Sequence, residues 1–318
     1  MSITIPFLTP PTPSEAPKYL ATHGRSFWFA TALIPEPHRS RIVGVYAYCR
    51  YTDDLVDRDE SSPAELHAKL DRWLEQSWMA YELGYSSVPL LHNVMRDMAE
   101  SQVPFTYVRQ LIDGMRMDID GQRYASLAEL RGYCHRVASV VGLWLTELFG
   151  VHDTWVLDRA ARLGTAMQLT NIIRDVGEDR RLGRLYLPAD WMAVHGVTEA
   201  MLDEVQSSDV PIPAGYAALM RDLCDAAEAD YRLAAQGIPM LPAFFRPAVA
   251  VAARVYSAIH EAVRDNGYDT LRLRAVTSTT RKLALARSTL REWGESTASL
   301  DAVAAAARVS ALIPALPR

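Results

Sequence analysis

The stretch YAYCRYTDDLVD at positions 46–57 constrains this chain more than any other. It contains no proline or glycine, and a helix brings residues three or four apart onto one face, so Tyr46, Arg50, Asp53 and Asp57 form a single stripe. At about 100° per residue, the eleven steps leave that stripe within ~20° of straight. Two carboxylates one turn apart repel, at a cost of roughly 0.2–0.5 kcal/mol to an isolated helix. A cation between them removes the cost. That cation is either Arg50, which precedes Asp53 and Asp54 by three and four residues as in an ordinary solvated ion-pair face, or a metal ion.

The segment LGTAMQLTNIIRDVGED at 163–179 repeats the design, with Gln168, Asn171, Asp175 and Asp179 on one face. Burying amides and carboxylates without partners costs several kcal/mol, so this face either meets water or lines a polar cavity. Two such helices facing each other across a bundle make a site of oxygen ligands. Hard divalent cations prefer such a site, and Mg²⁺ in particular takes a few carboxylates and leaves its other positions to water and substrate phosphate. Arg50, Arg174, Arg181, Arg184 and the Arg281 and Lys282 pair add cations, the guanidinium forks matching phosphate oxygens. The chemistry implied is the metal-assisted departure of a diphosphate.

The chain has 318 residues, enough to bury a sizeable core, and its net charge of −5 argues against a nucleic-acid binder, which shows a basic patch or stripe. Cys49, Cys134 and Cys224 are too few and too scattered for a disulfide framework, which points to a reducing compartment. No signal-peptide pattern opens the chain and no run approaches the roughly twenty apolar residues of a membrane span. The expectation is a cytoplasmic protein, with any membrane contact peripheral. Helical patterns cover 18–33, 38–56, 63–83, 88–99, 104–119, 126–149, 154–178, 214–235, 242–266 and 277–293. Stretches 183–197 and 206–213 read as irregular, and strand signals are few. The spacing predicts an all-α bundle in one domain over 18–297, a flexible Pro-rich arm at 1–17 and a tail at 298–318.

Four motifs in order carry a resemblance: SFWFA at 26–30, YAYCRYTDDLVD at 46–57, YCHRVASVVG at 133–142 and LGTAMQLTNIIRDVGEDRRLGRLYLP at 163–188. The chain resembles the head-to-head isoprenyl diphosphate synthases of the phytoene and squalene synthase family over about residues 20–290. The resemblance implies a helical bundle of the isoprenoid synthase type with a central cavity. Two molecules of geranylgeranyl diphosphate would condense there through prephytoene diphosphate to phytoene, releasing diphosphate. It implies Mg²⁺, with Mn²⁺ as an alternative, and no NADPH.

Matched residue by residue, the implied metal ligands are Asp53, Asp57, Asn171, Asp175 and Asp179. The implied catalytic set is Tyr46, Arg50, Asp53, Asp57, Tyr133, Gln168, Asn171 and Asp175. His23 and Ser26, in a flap, would bind substrate diphosphate together with Arg50, Arg174, Tyr256 and Arg281. Asp118 matches in looser surroundings, as do Tyr133, Tyr256 and Arg281. Gly24 departs from the family pattern His-Ser-Lys/Arg-Ser. Small residues Ala138, Gly142, Gly164 and Ala166 are expected to let two long chains pass close to the helices. The implied partners are prenyl diphosphates, a membrane surface that takes up the insoluble product, and the downstream carotenoid enzymes. Two alternatives stand beside this reading: a squalene or dehydrosqualene synthase using farnesyl diphosphate, and a non-catalytic helical assembly factor.

Overall fold

The computed structural model describes residues 9–57 and 61–297. In chain order the helices are α1 Ala16–His23, α2 Arg25–Thr31, α3 His38–Asp57, α4 Pro63–Leu83, α5 Pro89–Glu100, α6 Thr106–Ile119 and α7 Leu127–Cys134. A single π turn, His135–Ser139, leads into α8 Val140–Leu148, followed by α9 Thr154–Arg181, α10 Ala189–Val194, α11 Glu199–Ser207 and α12 Ala214–Ala235. A 3₁₀ turn, Ile238–Met240, precedes α13 Arg246–Ser257, α14 Ile259–Asp265 and α15 Thr279–Thr297. Among the described residues there is no strand, and no helix is long and apolar enough to cross a membrane. The expected tail at 298–318 and the first eight residues of the arm lie outside the described residues.

Helix starts follow local chemistry. Ser62 and Glu65 close a capping box at α4, and the Asp153 carboxylate accepts from the backbone N–H of Trp155 and of Val156 at the start of α9. Four expectations are revised. The pattern at 18–33 is two helices, broken at Gly24, where a Cβ would overlap the Tyr46 hydroxyl. The pattern at 126–149 is interrupted by the π turn, and that at 242–266 begins only at Arg246 and breaks at Ala258. The stretch 183–197, read as irregular, contains α10, which starts behind Pro188.

Helices α3 and α9 do not form one pair but bracket a cavity whose other walls come from α2, the π turn, α8, the end of α12 with the 3₁₀ turn, and α13. One apolar cluster, centred on Tyr48, Trp73 and Trp144, backs α3; a second, around Leu169, Ile173, Leu219 and Leu223, backs α9. Two buried polar contacts tie α3 to α4 in the first cluster: Tyr48 Oη shares a hydrogen bond with Ser77 Oγ at 3.0 Å, and Trp73 Nε1 donates to Thr52 at 2.9 Å. Buried Asp230 on α12 accepts from Arg131 at 2.8 Å and Arg162 at 3.0 Å, tying α7 and α9 to α12.

Of the small residues, Ala138, Gly142 and Gly164 line the cavity and Ala166 does not. A Cβ on Gly142 would lie 2.9 Å from the Ala160 carbonyl, and one on Gly164 would lie 2.7 Å from that of Ala138. Their bareness also permits the close approach of α8 and the π turn to α9.

Helix α9 is bent at Asp175, whose φ of −107° and ψ of 15° leave the helical region. The bend admits the loop after α14. Gly177 donates its N–H to the Thr270 carbonyl at 3.0 Å, and Gln206 donates to the Gly177 carbonyl at 2.7 Å, so the backbone groups freed by the kink are satisfied. No side chain fits at position 177, because a Cβ there would overlap the Leu271 carbonyl. Gly177→Ala is therefore expected to destabilise the fold by ~1–3 kcal/mol. A denaturant midpoint equal to that of the parent chain would show that the loop and kink can separate freely.

Candidate active site

The cavity has a volume of about 280 Å³ and a strongly apolar wall. Its polar end is formed by Tyr46 on α3, Gln168 and Asn171 on α9, and Tyr256 on α13. The Asn171 amide donates to Gln168 Oε1 at 3.2 Å, and the Tyr46 ring stacks on Phe27 at 5.4 Å. Both acidic stripes continue from this end: α3 runs on from Tyr46 to Asp53 and Asp57, and α9 from Asn171 to Asp175 and Asp179. The same helices thus carry the apolar wall in their earlier turns and the carboxylates in their later ones. The π turn adds Val137 and Ala138 to the wall. Such wide turns recur at functional sites.

The carboxylates interact with one another across elements. Burial first, then the neighbouring charge of Asp57, pushes the Asp53 carboxyl up to about 7, against the pull of Arg50 and with further help from Asp118. Burial and then Asp175 push the Asp179 carboxyl up to about 8, Arg184 opposing. Asp118 on α6 is also raised, mainly by burial, although Tyr186 Oη donates to it at 2.7 Å and Tyr133 Oη at 2.9 Å.

Arginines partly offset this repulsion. Arg50 spans Asp53 at 2.7 Å and Asp54 at 2.5 Å, while Asp57 takes Arg184 at 2.7 Å. Asp175 takes Arg174, its neighbour in sequence, and Arg274 at 2.9 Å. Asp54 is 1% exposed and also accepts from Tyr19, so it faces into the bundle and anchors Arg50 rather than joining the site.

All the donors here are oxygen atoms, and their mutual repulsion persists despite the arginines; that donor chemistry fits a hard divalent cation. No three acidic, histidine or cysteine side chains converge on one point among the described residues.

The squalene/phytoene synthase family model matches residues 20–282. This chain belongs to that family. It is 37% identical over 267 residues to a 15-cis-phytoene synthase of a Paracoccus species, covering 82% of this chain and 85% of the relative. It is 35% identical over 271 residues to the corresponding enzyme of Enterobacter agglomerans, with 82% and 89% covered. A dehydrosqualene synthase solved with a ligand superimposes with a TM-score of 0.81 at 28% identity, covering 89% of this chain and 96% of that one. A squalene synthase from Alicyclobacillus acidocaldarius shares the fold, with a TM-score of 0.71 at 24% identity, covering 80% of this chain and 94% of that one. The squalene/phytoene synthase chain is a prenyltransferase, which sets aside the non-catalytic assembly factor. It belongs to a class of prenyl diphosphate synthases that typically depends on divalent metal.

The structure brings Tyr46, Arg50, Asp53, Asp57, Gln168, Asn171, Arg174, Asp175, Asp179 and Tyr256 to the polar end of the cavity or the cluster beyond it. It does not bring Arg281, which is exposed and pairs with Glu261 at 2.7 Å on the surface. Arg274 lies on Asp175 in its place, carried there by the loop that enters the kink of α9. Tyr133 is 3% exposed and does not line the cavity; it stands behind the acidic cluster, stacked on Tyr186 at 5.0 Å with both hydroxyls on Asp118. His23 ends α1 and Ser26 lies in α2, but their side chains are outside the described part of the structure.

Arg274 and Tyr186 were missed. In the sequence LRLR at 271–274, nothing distinguishes Arg274 from Arg272, which instead holds Asp269 and two loop carbonyls.

The raised carboxyls predict an inverted pH dependence. A carboxyl that holds its proton more tightly in the fold than in the unfolded chain stabilises the fold below its ordinary pKa, and this stability is lost as pH rises through the folded value. Metal-free protein should therefore melt at lower temperature as pH rises from about 5 to about 8, and Mg²⁺ should restore the loss at the upper end. In the Asp53→Asn, Asp179→Asn double variant both the decline and the rescue should shrink. An equal decline in parent and variant would place its origin elsewhere.

Proposed function

We propose that this enzyme condenses two molecules of geranylgeranyl diphosphate head to head, through prephytoene diphosphate, to phytoene, releasing both diphosphates. The observation that carries this reading is an apolar cavity whose one polar end leads directly to a cluster of carboxylates and arginines. A long hydrocarbon with an anionic head has those two requirements.

Arg50, Arg174, Arg184 and Arg274 are the forks available to the diphosphates, each now spread over a carboxylate it would share with a substrate. Asp53 and Asp57 from α3, with Asn171, Asp175 and Asp179 from α9, are the residues that would hold Mg²⁺, or Mn²⁺ in its place. Bound there, the metal would supply Lewis-acid neutralisation of a departing diphosphate. The protein's remaining task is to keep water from an allylic cation, and the apolar wall supplies this. Tyr46 and Tyr256 line the polar end, where an aromatic ring attracts a positive centre. Attack by the second substrate's double bond and loss of a proton close the cyclopropane. The second ionisation and proton loss give the product, and no step consumes NADPH. The product is insoluble in water, so it passes to a membrane touched from one side.

Incubation of the purified chain with Mg²⁺ and either geranylgeranyl or farnesyl diphosphate, with and without NADPH, tests this reading. Phytoene from the twenty-carbon substrate, independent of NADPH, is expected. Turnover of the fifteen-carbon substrate alone would assign the enzyme to dehydrosqualene or squalene formation, the activity named for the solved structures that share its fold. Asp53→Ala and Asp175→Ala should each reduce kcat by at least about a hundredfold. Arg274→Ala should cost about tenfold or more in kcat/KM, and Arg281→Ala little, because one arginine meets the cluster and the other the surface.

A further inference from the structure

Among the described residues that line the apolar cavity, Arg159 is the one that carries a charge. It lies in the second turn of α9, nine residues before Gln168 and twelve before Asn171, which places it ~14–18 Å down the helix from the polar end. A guanidinium against an apolar lumen is costly unless its head escapes while its methylene stem remains. That is the arrangement here. Nη1 donates to Asp158 at 2.8 Å, and the guanidinium carbon lies 4.9 Å from the centre of the Trp155 ring, which is 45% exposed. The Nε atom is buried without a hydrogen-bond partner.

The stem is also tightly packed against the end of α12. A Cβ on Gly237, just past the end of α12, would lie 2.5 Å from Cβ and 3.1 Å from Cγ of Arg159. An ion pair with an adjacent, half-exposed aspartate contributes little in itself, so it does not account for a buried Nε or for a glycine seated on the methylenes.

We propose that the stem of Arg159, held in place by Gly237, is the floor of the chain cavity and sets the longest isoprenoid chain the enzyme accepts. The inference rests on the reading that the cavity holds prenyl chains. Removing the stem lengthens the lumen by the volume of the methylenes and gives a longer chain room to extend. Adding volume at position 237, which lines the lumen and abuts the stem, shortens it.

The test compares farnesyl, geranylgeranyl and geranylfarnesyl diphosphates with the full chain and Mg²⁺, following product length by mass spectrometry. In parallel, dissociation constants are measured for unreactive thiolo analogues of the same three lengths. Arg159→Ala is expected to raise kcat/KM for the twenty-five-carbon substrate relative to the twenty-carbon one by about tenfold or more, with the analogue affinities shifting alike. Arg159→Met, which keeps the stem and removes the charge, should retain the parental ratio. Gly237→Ala should shift preference toward fifteen carbons.

Unchanged ratios in Arg159→Ala would overturn the proposal, as would an Arg159→Met variant that behaves like Arg159→Ala, since charge rather than length would then decide. If Gly237→Ala does not fold, the other two variants decide alone. A parent chain that neither binds nor converts any of the three would refute the underlying function, a result distinct from a parent that converts one and variants that leave the ratio untouched.

Discussion

Carboxylates from three helices share the space beyond the polar end of one cavity, and their mutual repulsion is the constraint around which the rest is arranged. Asp53 and Asp57 arrive on α3, Asp118 on α6, and Asp175 and Asp179 on α9; each of Asp53, Asp118 and Asp179 holds its proton more tightly than an ordinary aspartate. Such a cluster is tolerated because arginines are spread among its members and because two tyrosine hydroxyls are donated to Asp118. It remains under-compensated, and divalent cations bound among the carboxylates would supply the missing positive charge.

The construction of α9 shows how the site is assembled. Its early turns approach α8 and the π turn through Gly164, so the apolar wall is formed by tightly apposed backbones. Its later turns bend at Asp175, and the loop of Thr270 and Leu271 enters the bend at Gly177. That intrusion carries Arg274 onto Asp175 from almost a hundred residues away. A straight helix would have kept Asp175 and Asp179 in one row with Asn171 but would have excluded the loop that supplies the arginine. The kink therefore exchanges regularity for an additional cation.

Polar and charged side chains meet the apolar wall at two separate levels of α9. Polar side chains gather where α3 and α9 leave the cavity, and Arg159, the one charged residue of the wall among the described residues, lies in an early turn of α9 with its Nη1 on Asp158. Both levels solve one physical problem, which is to bring charge near an apolar lumen without leaving it uncompensated inside.

Much of this was legible in the residues. Proline, glycine and helical periodicity located most of the helices, and the spacing of Asp53 with Asp57 and of Asn171 with Asp175 and Asp179 marked the two acidic faces, because helical geometry is local and a stripe is visible in any sequence that carries it. Four motifs in order indicated the family before any contact was known. What spacing could not convey was whichever feature depended on a partner distant in sequence. The break at Gly24 answers to Tyr46, the bend at Asp175 to Leu271, and the bareness of Gly142 and Gly164 to neighbouring backbones. The choice of Arg274 over Arg281 was likewise decided by tertiary packing. The sequence by itself determined the helices and the chemical types on their faces; only the tertiary structure decided which of those groups meet, because that depends on where each helix bends and which loop fills the gap.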